Sequence, residues 1–287
     1  MADDEEHHQH DSHHFLLVLY GFQSQINPGR VLAHRLARLG IDGSVQVTLS
    51  VPVATYRDMF PLQQDGVDDG SMPTDGVVSY VPYSDGIDDG SVPTNANDRA
   101  LRRCASSESL SAIISRLADR GQPVTCIMCT MVFPPALDVA REHNIPVTIY
   151  WIQTATLLAI NYHYFHGYSE LIASHANDPV HEVCLPGLGR PIQIRNFPSF
   201  MVDKSGSERT KVFIEVLQEL FDYMDQLQPK VLVNTFDELE ANVLMEMKQH
   251  LDVFTIGPMV RSSMETQIHL FNHDIIDKKR DRVGKVH

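Results

Sequence analysis

From position 15 to position 258, short unbroken apolar runs alternate with apolar stripes at helical spacing, separated by polar or Gly- and Pro-containing turns. Phe15–Tyr20 (FLLVLY) is the first run, the pattern of a strand buried on both faces of a parallel sheet. Gly21–Ile26 turns the chain, Asn27 can cap a helix, and Pro28 fits a first helical position, where no amide hydrogen is needed. Leu32, Leu36 and Leu39 then predict a helix lying on the sheet with one face. Further strands are predicted at Val45–Val51 (closed by Pro52), Val77–Pro82, Val124–Met128, Val147–Ile152, Val231–Asn234 and Val253–Ile256. Helices are predicted at Asp98–Arg120, Pro135–His143, Thr154–Ser174 and Thr210–Leu227, with one more carrying Leu239, Val243, Met247 and Leu251 on one side. Val183–Leu188 and Arg195–Phe200 read as extended or turn-like. The alternation gives an α/β fold, a Rossmann-like, mainly parallel sheet with helices on both faces. Residues 1–12 read as a disordered acidic and His-rich tail, 13–258 as one domain, and 259–287 as a linker with an unpatterned end.

At 287 residues and 43% hydrophobic composition the chain can build a substantial core. Its 37 acidic against 23 basic side chains, net −14, exclude a nucleic-acid or anionic-membrane surface. The longest apolar stretch, Trp151–Phe165, is interrupted by Gln153, Asn161 and His163, so no membrane span is predicted. The polar N-terminus is neither a secretory signal nor a transit peptide, and four cysteines make no disulfide framework; a reducing, cytoplasmic location is expected.

Several features invite chemistry and have plainer readings beside it. His7, His8, His10, His13 and His14 could chelate a metal adventitiously, but without carboxylate or Cys spacing they make no closed site, so no metal centre is expected. Asp65–Thr74 (DGVDDGSMPT) and Asp85–Thr94 (DGIDDGSVPT) match at eight of ten positions with an offset of 20. They read as a local duplication lengthening a surface loop; a calcium loop would need alternating oxygen ligands and a Glu at its twelfth position. Cys126 and Cys129 form a CxxC at a strand, which reads as structural thiols rather than a redox pair. Tyr162, His163, Tyr164, Phe165 and His166 could line a pocket for a flat ligand, or pack with polar tips outward. A turn between a first strand and a helix is the usual site position in an open α/β sheet, yet it carries no G-x-G-x-x-G. P-loop, H-E-x-x-H and G-x-S-x-G patterns are missing too, which leaves a dinucleotide oxidoreductase as a remote alternative.

The ordered blocks HFLLVLYGFQSQINP, VSYVPYSDGIDD, CIMCTMVFPPALDVAREHNIPVTIYWIQTATLLAINYHYFHGY, VCLPGLG, VLVNTFDELE and FTIGPMV resemble the acceptor-binding half of a plant family 1 UDP-glycosyltransferase, covering about residues 13–273. Within the family they are most similar to anthocyanin 5-O- and crocetin-type glucosyltransferases. The resemblance implies the N-terminal half of a GT-B fold, two Rossmann-like domains facing across a cleft. It implies a small lipophilic acceptor such as a flavonoid, UDP-glucose as co-substrate, and no metal. The family's turn after the first strand carries a general-base His, and the aligned residue here is Gln25. A glutamine amide can hold a hydroxyl by hydrogen bonding but cannot take its proton, and losing a general base costs about 10²–10⁴ in rate. Thr130 stands where many members have the Asp that orients that His. The resemblance also makes Ile26, Trp151, Gln153, Thr154, Tyr162, His163 and His166 candidates for lining the acceptor pocket.

The likeness ends near Ile275, and the only tryptophan, Trp151, lies in a strand, so the family's Trp- and His-containing donor signature has no counterpart. A truncated or mis-spliced product is therefore expected, with self-association through apolar surface around the cleft. Two functions follow: the acceptor-recognising half of a small-molecule glucosyltransferase, or a non-catalytic binding protein that sequesters a similar ligand. UDP-glucose turnover with a flavonol panel separates them, and none is expected from this chain or its Gln25→His variant.

Overall fold

A computed structural model of the chain describes residues 12–40, 43–60, 74–89, 96–130 and 133–259. The chain divides into two compact units, one running to Ile127 and the other beginning at Met128. The first unit holds β1 (His13–Val18), α1 (Gln23–Ala37), β2 (Val45–Pro52), α2 (Val53–Met59), β3 (Ser79–Tyr83) and α3 (Ala96–Asp119). The chain passes to the second unit within β4 (Cys126–Thr130). There follow α4 (Pro134–Glu142), β5 (Val147–Trp151), α5 (Ala155–His163), α6 (Ser169–Ser174), β6 (Glu182–Val183) and β7 (Ile192–Gln193). The second unit ends with α7 (Ser199–Val202), α8 (Glu208–Leu227), β8 (Lys230–Val233), α9 (Ala241–Met247) and β9 (Asp252–Thr255). Among the described residues seven strands belong to a mainly parallel sheet, with β3-β2-β1 side by side in the first unit and β5-β8-β9 in the second. β6 and β7 make a separate antiparallel pair.

The unbroken apolar runs behave as such runs should. Leu16, Leu17, Val18 and Leu19 are buried, as are all five residues of β5. In register with them, His13–Val18 pairs with Val45–Ser50 and Thr48–Pro52 with Ser79–Tyr83. The stripe Leu110, Ile113, Ile114 and Leu117 is buried along α3. His14 belongs to this core rather than to a chelating tail. Its Nδ1 faces the Gln122 carbonyl at 2.9 Å and so carries the proton, which leaves Nε2 to accept from the Thr48 hydroxyl at 2.8 Å.

The structure corrects several expectations. First, α1 begins at Gln23 with Phe22 as its cap residue, not at Asn27. The amides of Gln25 and Ile26 both reach the Phe22 carbonyl, at 2.9 and 3.0 Å, and close the first turn before Pro28 removes a donor. Second, Leu39 lies beyond the helix end and is 72% exposed, so the buried stripe stops short of it. Third, α2 was not foreseen, because only Tyr56 of its seven residues is buried and no apolar stripe marks it. Fourth, the helix expected over Thr154–Ser174 is interrupted at His166 (φ −111°, ψ 47°) and Gly167 (φ 106°, ψ −2°). A positive φ suits glycine because it has no Cβ, and α6 restarts from it on a new axis. Similarly, Arg195–Phe200 contains a 3₁₀ turn at Ile194–Asn196 and the start of α7. Most of the duplicated Asp/Gly loops lies outside the described residues, as do residues 1–11 and 260–287.

Candidate functional site

In the first unit the site position is the turn from β1 into α1. Leu19 continues the strand line by donating its amide to the Ser50 carbonyl at 2.9 Å, and Tyr20 and Phe22 then pack ring to ring at 4.9 Å. Phe22 is largely exposed. Gln25 follows in the first turn of α1, half-buried, and Ile26 beside it is buried. The helix sits close over the strand exit: a Cβ on Gly29 would lie 2.5 Å from a Leu19 methyl, so glycine sets this approach. The amide of Gln25 is therefore carried on the N-terminal turn of a helix seated against the end of a parallel strand, the position where α/β sheets hold ligands.

In the second unit Thr130 ends β4 fully buried, and Trp151 ends β5 with 0% of its surface exposed. The Trp151 indole N–H donates to the Thr154 carbonyl at 3.1 Å, which fixes the turn after β5. Gln153 and Thr154 are exposed on that turn, and the Thr154 hydroxyl caps α5 by accepting from the Leu157 amide at 3.3 Å. Sequence reading passed over Glu240, which completes this cap from the segment before α9. Its Oε2 accepts from the Ala155 amide at 2.9 Å, and its Oε1 accepts from the Thr156 amide at 2.7 Å and hydroxyl at 2.6 Å. Burial would raise the Glu240 pKa, but these hydrogen bonds outweigh it and hold the carboxyl below its ordinary value. The signal that could have found it is a carboxylate in the VLVNTFDELE block, but the pairing spans about 85 residues of sequence and has no local pattern.

The aromatic and histidine cluster forms a compact group in this unit. The Tyr162 ring lies between the imidazoles of His166 (3.8 Å, 14°) and His250 (4.9 Å, 26°), with Phe221 edge-on at 6.2 Å. His166 is held from both ends, its Nδ1 at 2.6 Å from the Tyr162 carbonyl and its Nε2 at 2.9 Å from Asp225. His163 is buried, with Nε2 unpartnered. Burial lowers its pKa, opposed by Glu246 and a backbone hydrogen bond at Pro186 and aided by His250. Tyr162, His163 and His166 are thus neighbours, and Trp151 meets the group through Phe221, 6.3 Å from its ring. Among the described residues no group of three or more His, Cys, Asp or Glu is arranged to hold a metal ion. Likewise no described helix is long and apolar enough to cross a membrane.

No family model matches the sequence. The chloroplastic crocetin glucosyltransferase of Gardenia jasminoides is 32% identical over 284 residues, covering 93% of this chain and 55% of that protein. The phloretin 4'-O-glucosyltransferase of Malus domestica is 31% identical over 288 residues, covering 94% of this chain and 55% of its own length. This chain is a homologue of the plant UDP-glycosyltransferases. It spans about half the length of the curated relatives it matches. A crystal structure of UDP-glucose: anthocyanidin 3-O-glucosyltransferase in complex with UDP shares the fold of this UDP-glycosyltransferase homologue. The superposition has a TM-score of 0.68 at 19% identity and covers 94% of this chain and 58% of that one.

Proposed function

We propose that this chain forms the acceptor-holding half of a UDP-glucosyltransferase for a small, hydroxylated, largely apolar molecule. The observation that carries the reading is the alignment over 93% of the chain with a glucosyltransferase, together with Gln25 in the first turn of α1 at the exit of β1. In this reading Gln25 hydrogen-bonds the acceptor hydroxyl, and Ile26 supplies apolar contact beside it. The same reading makes Gln153, Thr154, Tyr162, His163 and His166 of the second unit acceptor-lining candidates, with Thr130 and Trp151 at the ends of β4 and β5. In this reading UDP-glucose is the donor. The acceptor oxygen would attack the anomeric carbon of glucose and UDP would leave. Gln25 has no basic nitrogen near neutral pH, so it orients the hydroxyl without removing its proton.

That chemistry favours a second reading for the chain by itself, a protein that binds the acceptor without turning it over. Calorimetry with phloretin on the 287-residue chain tests both. Binding without formation of a glucoside from UDP-glucose, by the chain and by Gln25→His alike, is expected. Absence of phloretin binding counts against the acceptor reading, and glucoside formed by Gln25→His would mean that this chain handles the donor as well.

A further inference from the structure

Asn234, the first residue after β8, ties together the exits of three strands. Its Nδ2 donates to the carbonyl of Ile152, just after β5, at 3.0 Å. Its Oδ1 accepts from the amide of Met259, beyond β9, at 2.7 Å. Its own backbone amide donates to the Trp151 carbonyl at 3.1 Å. Around it, the Ile256 amide reaches the Val233 carbonyl at 3.1 Å and the Gly257 amide the Thr235 carbonyl at 2.8 Å. A carbonyl only accepts and an amide N–H only donates, so the side chain between Ile152 and Met259 must donate on one side and accept on the other. A primary amide of this length does so without charge; an ionised carboxylate cannot.

The turn after β5 is therefore fixed at both ends, with Asn234 holding Ile152 and Glu240 holding Ala155 and Thr156. Between these points stand Gln153 and Thr154, both exposed. We propose that Asn234 is a positioning residue for the acceptor site. It keeps Gln153 and Thr154 in place and makes their turn move as one body with the chain leaving β9 at Met259. This rests on the reading of Gln153 and Thr154 as acceptor-lining residues.

The test compares the 287-residue chain with Asn234→Asp and Asn234→Ala. In Asn234→Asp the ionised carboxylate keeps an acceptor for Met259 but sets negative charge against the Ile152 carbonyl, whereas the protonated carboxyl restores the donor-and-acceptor pair. Phloretin affinity of Asn234→Asp is expected to fall about tenfold at pH 8, the loss of one hydrogen bond, and to return part of the way toward that of the parent at pH 4, where an ordinary aspartate carboxyl is about half protonated. Asn234→Ala is expected to be weak at both. A role confined to stability would not give one variant a pH-dependent affinity; parent-like affinity at pH 8, or a loss that ignores pH, overturns the proposal. Hydrogen exchange judges the clasp without any ligand. The Ala155 and Thr156 amides, which Asn234 does not touch, are expected to exchange about tenfold faster in Asn234→Ala after correction for global stability. Unchanged exchange overturns the clasp. Exchange that rises while the parent fails to bind phloretin supports the clasp and refutes the acceptor assignment instead.

Discussion

In the first unit Asp75 gathers its neighbours by charge, whereas in the second Tyr162 gathers its neighbours by shape. Asp75 Oδ2 accepts from the Tyr80 hydroxyl at 2.6 Å and from His34 Nε2 at 2.8 Å, its Oδ1 accepts from the Val78 amide at 3.1 Å, and Arg30 stands 4.0 Å away. Arg30 in turn donates to the Tyr80 hydroxyl at 3.2 Å. Burial would raise the Asp75 pKa, but the hydrogen bonds from His34 and Tyr80, the charge of His34 and the Val78 amide together bring it down to about 2. Around Tyr162 the contacts are ring faces and edges, and the buried imidazole of His163 is pushed toward its neutral form. A hydrogen-bonded carboxylate network depends on every partner being present, because a deserted buried donor has no substitute. A stacked cluster depends on volume and fails when a ring is removed.

The sharpest way to break this contrast is Phe221→Ala. Phe221 is fully buried and packs against Trp151, Tyr162 and Phe165, so the change is expected to cost about 3–5 kcal/mol in urea unfolding. A cost below about 1 kcal/mol would mean that the rings repack around the gap. Asp75→Asn comes next, at about 1–3 kcal/mol by the same measurement, since His34 and Tyr80 lose the anion they were aimed at. Gly167→Ala is expected to cost about 1–2 kcal/mol; a Cβ there meets nothing within 4 Å, so the loss is backbone conformation alone.

The smallest effect is one that both units share. His14 and His163 have pKa values lowered from 6.5, mainly by burial, so the unfolded chain binds more protons than the folded chain below that pH. Stability is therefore complete above pH 6.5 and declines as the pH falls. Thermal midpoints recorded from pH 7.5 to 5 are expected to show the decline, with a shallower slope in His163→Gln. A slope unchanged by that substitution would show that His163 does not contribute to it. Asp75 adds a separate acid limb. Its contribution is present above pH 3.8 and is lost as the pH approaches 2.

How much could be read beforehand depended on whether a residue's partners were near in sequence. The strand cores at Leu16–Val18 and Val147–Trp151 and the stripe Leu110–Leu117 were legible because burial imposes a periodicity on consecutive residues. The start of α1 was misplaced because Asn27–Pro28 looks like a helix start, whereas the Phe22 carbonyl had already closed a turn. The kink at Gly167 was hidden because glycine is tolerated within a helical pattern, so its positive φ shows only in the fold. Gln25 is proposed through a family motif, whereas Glu240 and Asn234 have no local signal in the sequence. Their partners in the turn after β5 lie more than 80 residues away, at Ala155, Thr156 and Ile152.

By itself, then, the sequence determined the alternation of strand and helix, the buried runs and the excess of acid. These are properties of composition and spacing, which the solvent reads along the chain. Only the tertiary structure decided that Trp151 turns its indole onto the Thr154 carbonyl, that Tyr162 lies between two histidines, and that Asn234 and Glu240 hold the two ends of one turn. The Asn234 and Glu240 contacts arise from polar groups that must find partners once water is excluded, and those partners are chosen by the packing of strands distant in sequence.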